Sequence, residues 1–185
     1  MRVRTSKAYG VAALATVALI APACGTAHTR GPLASSVPPA GASSTPANVG
    51  AVYSTGLIEL HNSTSHPIVL DSAELVGVTG GLVMVGAGVQ RDRSTEVGLA
   101  PGFPPDPAHP LAPVRGWILK AGDQGNPIVV GVKATRGGVS AYQAVRLNYQ
   151  FEGRAYDTDF PIGMEICAPV RRWAKTGCPT PKLPD

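Results

Sequence analysis

Residues 145–160, with the sequence VRLNYQFEGRAYDTDF, constrain the fold more tightly than any other part of the chain. Apolar and polar side chains alternate along both halves, which is the period of a half-buried β-strand. The dipeptide Glu-Gly between the halves suits a two-residue turn, and such a turn fixes the register of a hairpin. Tyr149 should then face Tyr156 on the buried side, and Arg146 should face Asp159 on the solvent side. The pattern therefore predicts an antiparallel hairpin.

Short runs of β-type residues separated by turn residues occupy the chain from about Ala51 onward. This region lacks the apolar spacing of an amphipathic helix. A bulge at Asp71-Ser72 is needed to bring the apolar residues on its two sides to the same face. The predicted fold class is all-β, a single antiparallel immunoglobulin-like β-sandwich of about seven strands. The predicted strands cover residues 54–61, 67–76, 82–90, 116–120, 127–135, 141–151 and 154–162.

The first 23 residues have the three parts of a signal peptide. Arg2, Arg4 and Lys7 come first, an apolar run covers residues 11–20, and Ala-Pro-Ala ends the segment. The run is shorter than the roughly 20 residues that a membrane-spanning helix needs. Without the three basic residues, the chain keeps 13 Lys and Arg against 12 Asp and Glu. Because this balance leaves no basic surface, no nucleic-acid partner is expected.

Cys24 follows this segment directly and is one of three cysteines in the chain. An odd cysteine in an exported protein needs an explanation, and this one resembles the lipid-bearing cysteine of bacterial lipoproteins. The Ala-Pro-Ala sequence before it also fits ordinary secretory cleavage, so free secretion and a retained signal anchor remain open. Lipidation of Cys24 would make the membrane a partner and place the protein in the cell envelope, at the outer face of the cytoplasmic membrane.

Residues 24–50 consist mainly of Ala, Ser, Thr, Pro and Gly and hold a single Arg. A segment of this composition buries too little apolar surface to offset the entropy of ordering it. We therefore predict a signal peptide over residues 1–23, a disordered tether over 24–50, a folded domain over 51–167 and a C-terminal tail over 168–185.

Cys167 and Cys178 are the two cysteines that remain if Cys24 carries lipid. Export places the chain in a compartment where disulfides persist, so the sequence predicts a bridge that pins the C-terminal tail. A redox-active pair is the alternative, although ten intervening residues do not resemble the C-x-x-C spacing of such pairs.

Residues 91–113 contain six prolines and are predicted to form a long loop. Proline lacks the N–H that a strand ladder needs, and loops of this length are commonly functional. Phe103, Pro104, Pro105 and His109 are the candidate binding residues. The alternative is a tolerated insertion that binds no ligand.

The chain contains none of the common catalytic or cofactor motifs, so we expect no enzyme activity, no catalytic residue and no cofactor. Asp157 and Asp159 lie on one face of a predicted strand, but a basic partner on the facing strand favours a structural role. His61, His66 and His109 leave open an alternative function as an extracytoplasmic metal-binding protein. Their spacing matches no metal motif, so no metal site is assigned.

Two stretches, GLIELHNSTSHPIVLDSAELVG and VRLNYQFEGRAYDTDFPIGMEIC, resemble small exported actinobacterial proteins of unknown function that carry an immunoglobulin-like sandwich. The resemblance covers most of residues 56–167 and implies the fold, but it carries over no catalytic or ligand residue. The sequence therefore predicts a non-enzymatic binding or assembly module of the cell envelope. It would be displayed by a lipid anchor or secreted, with another envelope protein as its partner.

Overall fold

The computed structural model describes residues 31–35, 41–91 and 98–179. Within these residues the chain forms thirteen strands and one short helix. The elements are β1 (Ala34–Ser35), β2 (Gly41–Pro46), β3 (Val52–His61), β4 (Ile68–Val76), β5 (Leu82–Val89), β6 (Ala100–Pro101), β7 (Ala112–Pro113), β8 (Ile118–Leu119), β9 (Gln124–Ala134), β10 (Gly138–Tyr142), β11 (Ala144–Phe151), β12 (Arg154–Phe160), β13 (Ile162–Ala168) and α1 (Val170–Trp173). None of the helical structure in these ranges has the length and apolar character needed to cross a bilayer.

The predicted hairpin is confirmed in every pair of its register. β11 and β12 are antiparallel, with Tyr149 opposite Tyr156 and Arg146 opposite Asp159. Glu152 and Gly153 form the turn with φ of 49° and 73°, which are the left-handed values that a type I′ turn requires at both positions. The apolar face of the hairpin is buried, and the Arg146 guanidinium binds both carboxylate oxygens of Asp159 at 2.7 and 2.8 Å.

The hairpin belongs to a four-stranded sheet with the order β12-β11-β4-β8. Tyr149 pairs with Leu70 and Asn148 pairs with Ser72, so Asp71 is the inserted residue of a bulge. This irregularity confirms the predicted bulge. Leu70 and Ala73, which lie on its two sides, are both buried as expected. The insertion shifts the alternation by one residue and so keeps the apolar side chains on one face.

A six-stranded sheet has the order β1-β3-β9-β5-β7, with β6 also pairing with β3. β9 is its central strand, and the side chains from Ile128 to Val130 are at most 1% exposed. β7 pairs with β5 through Gly88 and Val89 alone. Within the described residues, the first part of β5 therefore has a strand neighbour on one side.

The third sheet, β10-β13-β2, corrects the predicted limits of the domain. β13 is a separate strand that the sequence pattern did not predict, because all seven of its residues are buried and apolar-polar alternation is lost. Its neighbour β2 runs parallel to it from Ile162 opposite Gly41 to Cys167 opposite Pro46. The predicted tether is therefore wrong over residues 41–50, where main-chain pairing supplies the order that the small side chains do not.

The three sheets share one hydrophobic core. Leu60 and Ile128 enter it from the six-stranded sheet, Tyr149 from the four-stranded sheet and Ile166 from the third. Leu33 lies before β1 and joins this core, and its N–H donates to the Tyr149 hydroxyl over 3.2 Å. The architecture is all-β as predicted, but it has more strands and sheets than expected, and one parallel pair.

Candidate functional site

The proline-rich segment from Gly98 to Pro113 crosses one face of the six-stranded sheet. β6 attaches it to β3, where the Ser54 hydroxyl donates to the Gly102 carbonyl and the Gly102 N–H donates to the Val52 carbonyl. β7 attaches the other end to β5. The segment is thus fixed at both ends, and the prediction of a long loop without strands is corrected in this part.

Phe103 is half-buried and packs against the six-stranded sheet. Its ring lies over Gly86 of β5 and Gly131 of β9, which pair directly with each other. A Cβ atom at either glycine would come within 2.6 Å of the ring. The two glycines therefore form the floor on which Phe103 packs. Glycines inside predicted strands signal such a close approach, and this signal could have placed Phe103 from the sequence.

Two adjoining pockets lie between this segment and β5. Pro110 and Leu111 line both pockets, which have volumes of about 410 and about 320 Å³. The larger one is apolar and is lined by Ala87, Phe103, Pro104, Pro110, Leu111, Ala112 and Pro113. The smaller one is lined by Gln90, Arg91, Ala108, His109, Pro110 and Leu111. Three of the four predicted binding residues therefore line a pocket, whereas Pro105 lines neither of these two.

His109 and Asp106 form an ordered pair at the rim of the smaller pocket. His109 Nδ1 lies 2.7 Å from Asp106 Oδ2, and the Ala108 N–H donates to Asp106 Oδ1 over 2.8 Å. These two hydrogen bonds, the histidine bond above all, lower the pKa of the Asp106 carboxyl below its usual value. The pair gives the pocket rim a fixed polar edge.

Three consecutive apolar side chains are exposed at the start of the same strand. Val83, Met84 and Val85 are 39, 37 and 44% exposed. Met84 pairs with Val132 while Gly86 pairs with Gly131, so Val85 is the extra residue of a bulge. The inserted residue breaks the alternation of faces between Met84 and Gly86. We call these three residues together with the two pockets the β5 groove.

The predicted histidines do not form a common site. His66 Nδ1 lies 3.3 Å from the Glu152 carboxylate, and His109 belongs to the Asp106 pair. Among the described residues, the one group of three potential ligand side chains whose ligand atoms all lie within 4.8 Å of one another is Glu165, Cys167 and Cys178, which contains no histidine. The alternative metal-binding function at the histidines stays a prediction, which metal titration followed by histidine NMR would test.

The two predicted carboxylates occupy the solvent side of the hairpin. Asp159 accepts two hydrogen bonds from the Arg146 guanidinium, and Asp157 lies 3.2 Å from the same guanidinium. Asn148 donates to Ser72 and Glu74. Because one arginine contacts both aspartates, the arrangement suits a structural role.

The disulfide between Cys167 and Cys178 is present, with Cα atoms 5.8 Å apart. It ties the C-terminal segment to β13, as the sequence predicts. Glu165, two residues before Cys167, is 6% exposed, and burial raises the pKa of its carboxyl. Cys24 and the signal peptide lie outside the described residues, so lipidation stays a prediction.

Comparisons with known proteins assign no family. No family model matches the chain, and no curated protein matches it. Parts of two solved structures are similar: the VesB protease of Vibrio cholerae, with 12% identity and a TM-score of 0.37, and a family 123 glycoside hydrolase from Clostridium perfringens, with 10% identity and a TM-score of 0.38. The matches cover 74 and 69% of this chain but 32 and 23% of those proteins. Likeness at this level carries no argument about activity. It also assigns no family to the predicted resemblance to exported actinobacterial proteins.

Proposed function

We propose that this protein is a non-enzymatic binding module of the cell envelope, with an immunoglobulin-like sandwich as its scaffold. Its ligand is an extended apolar segment of another envelope protein, bound along the β5 groove. The observation that carries the proposal is the exposure of Val83, Met84 and Val85 beside an apolar pocket on the same strand. Exposed apolar patches that adjoin pockets are typical of interaction sites.

The length of the groove supports an extended ligand. It follows β5 and the two residues after it, from Val83 to Arg91, which at about 3.3 Å per residue is on the order of 25 Å. An extended peptide of about seven or eight residues covers this distance. Its apolar side chains would lie on the exposed patch and enter the pocket at Leu111, while Gln90 and Arg91 offer polar groups at the far end.

Binding to defined peptides tests the proposal. The probe is a library of unstructured decapeptides with apolar residues at alternate positions, measured against the purified protein by fluorescence anisotropy. Met84→Asp should weaken the best peptide by roughly tenfold or more, because it places a charge in the apolar contact. Ile118→Asp is the matched control, since Ile118 is a strand residue of another sheet and is 54% exposed.

Equal loss of binding in both variants, or no saturable binding by any peptide, would contradict the proposal. If a peptide binds, a photo-crosslinking residue at position 85, compared with one at position 118, should identify the partner protein in intact cells. Crosslinks at position 85 alone are expected.

The same proposal places the domain at the outer face of the cytoplasmic membrane through a lipid on Cys24. Its support is the position of Cys24 directly after the Ala-Pro-Ala sequence. Stable anchoring needs more than one acyl chain. Mass spectrometry of the native N-terminal peptide should show a cysteine with several acyl chains, and an unmodified Cys24 peptide in the culture medium would instead indicate a secreted protein.

A further inference from the structure

Glu165 is a buried acid that lies beside the disulfide. Its side chain lies in β13, is 6% exposed, and has Oε1 at 3.5 Å from Cys167 Sγ. That sulfur belongs to the disulfide. A disulfide sulfur carries no proton, so it donates no hydrogen bond to the carboxylate.

The two sulfurs and the carboxylate form a compact set of ligands. One oxygen of Glu165 and the sulfurs of Cys167 and Cys178 all lie within 4.8 Å of one another. Thiolate and carboxylate are both common zinc ligands, and a Zn–S bond of about 2.3 Å in tetrahedral geometry separates two thiolates by about 3.8 Å. We propose that, when the bridge is reduced, Glu165, Cys167 and Cys178 bind a zinc-type divalent cation.

The surroundings suit such a site. Three anionic ligands exceed the charge of a divalent cation by one, and the segment between the cysteines contains Arg171, Arg172 and Lys175 but no acidic residue. Cys167 is fully buried, whereas Cys178 is partly exposed. The exposed side gives the ion an entry path and leaves a fourth coordination position for water.

The bridged and metal-bound states exclude each other. A dithiol reductant gives two electrons and two protons to the disulfide and is itself oxidised to a disulfide. The cation then displaces the two thiol protons to solvent and bonds both sulfurs. Cys178 remains attached to β13 in either state, first through sulfur and then through the metal.

Cobalt(II) binding to the full chain tests the proposal. All variants carry Cys24→Ser, which leaves Cys167 and Cys178 as the cysteines. After reduction and anaerobic removal of the reductant, we expect one equivalent of cobalt, with thiolate charge-transfer and tetrahedral d–d absorption that zinc abolishes. The oxidised protein should bind none. Glu165→Gln should weaken cobalt binding by roughly tenfold or more, while Glu152→Gln, at the exposed hairpin turn, should leave it unchanged.

Circular dichroism shows whether each reduced protein is folded. If reduction unfolds the chain, one equivalent of zinc should restore the β-sheet spectrum and protect both cysteines from alkylation. Three results would each overturn the site: no cobalt binding by the reduced protein, equal affinity in Glu165→Gln, or one-equivalent binding retained by Cys178→Ser.

Discussion

The Asn62 side chain joins two segments that are distant in the chain. Its Nδ2 donates to the carbonyls of His66, Leu119 and Lys120 over 2.9–3.0 Å. Its Oδ1 accepts from the Thr64 N–H over 3.1 Å. Asn62 is fully buried, and its bond to the Leu119 carbonyl is buried as well. The amide holds the turn after β3 against the end of β8.

Asn62→Ala should therefore lower the free energy of unfolding by about 2–3 kcal/mol, because the buried Leu119 carbonyl, the partly buried Lys120 carbonyl and the Thr64 N–H lose this partner. Urea unfolding followed by circular dichroism measures the change. Ser63→Ala is the control, since Ser63 is exposed and adjacent, and it should shift the unfolding free energy by less than about 0.5 kcal/mol. A similar small effect of Asn62→Ala would show that the amide is dispensable.

At the scale of elements, the turn of the β11–β12 hairpin is made from an unfavourable residue. Glu152 has φ of 49°, and no other non-glycine residue among those described has a positive φ. Left-handed backbone costs most L-residues about 1–2 kcal/mol, and asparagine tolerates it better. The carboxylate of Glu152 lies 3.3 Å from His66, but both side chains are more than half exposed, so their attraction contributes little.

Glu152→Asn should accordingly raise the free energy of unfolding by about 0.5–1 kcal/mol. Thermal unfolding of the variant beside the parent protein measures this gain. Glu152→Gln removes the same charge without changing the backbone preference, and it should give no stabilisation. A gain of equal size in both variants would assign the effect to charge and not to the turn.

The packing of Phe103 on Gly86 and Gly131 makes the proline-rich segment part of the folded structure. Phe103→Ala should cost about 1–2 kcal/mol, less than for a fully buried phenylalanine because the ring is half-buried. Hydrogen exchange should become faster across residues 98–113, since the ring closes the segment onto the sheet. Leu99→Ala, at an exposed apolar residue of the same segment, should change neither quantity, and unaltered exchange in Phe103→Ala would contradict the packing.

At the scale of the whole molecule, the residues before β3 are part of the domain. Leu33 and Ala47 are 4 and 2% exposed, and the Ala47 N–H donates to the Cys167 carbonyl over 3.0 Å. Loss of β2 would also expose one edge of β13, a strand that is buried throughout. The domain therefore needs a segment whose composition gives no sign of order.

A chain that begins at residue 51 should thus be less stable than one that begins at residue 31, by several kcal/mol, because it loses buried apolar side chains and a parallel strand pair. Urea unfolding of the two chains gives the difference. Equal stability of the two chains would restore the predicted boundary at residue 51.

The sequence by itself determined the hairpin register, the bulge at Asp71 and the partner of Cys167. Each depends on local alternation, on a two-residue turn or on a count of available cysteines, and these are properties of neighbouring residues or of composition. All four strands of the sheet β12-β11-β4-β8 accordingly lie within predicted strands. The candidate binding segment was also found from its prolines, although the inward position of Phe103 was not.

Tertiary structure alone decided the pairing of β2 with β13, the crossing of residues 98–113 over the glycine floor, and the meeting of Glu165 with the disulfide. A strand buried on both faces shows no alternation, and a strand of small polar residues has no apolar face to reveal it. Their order comes from main-chain hydrogen bonds between segments at opposite ends of the chain. Backbone groups are the same in every residue except proline, so side-chain patterns do not record which distant strands they join.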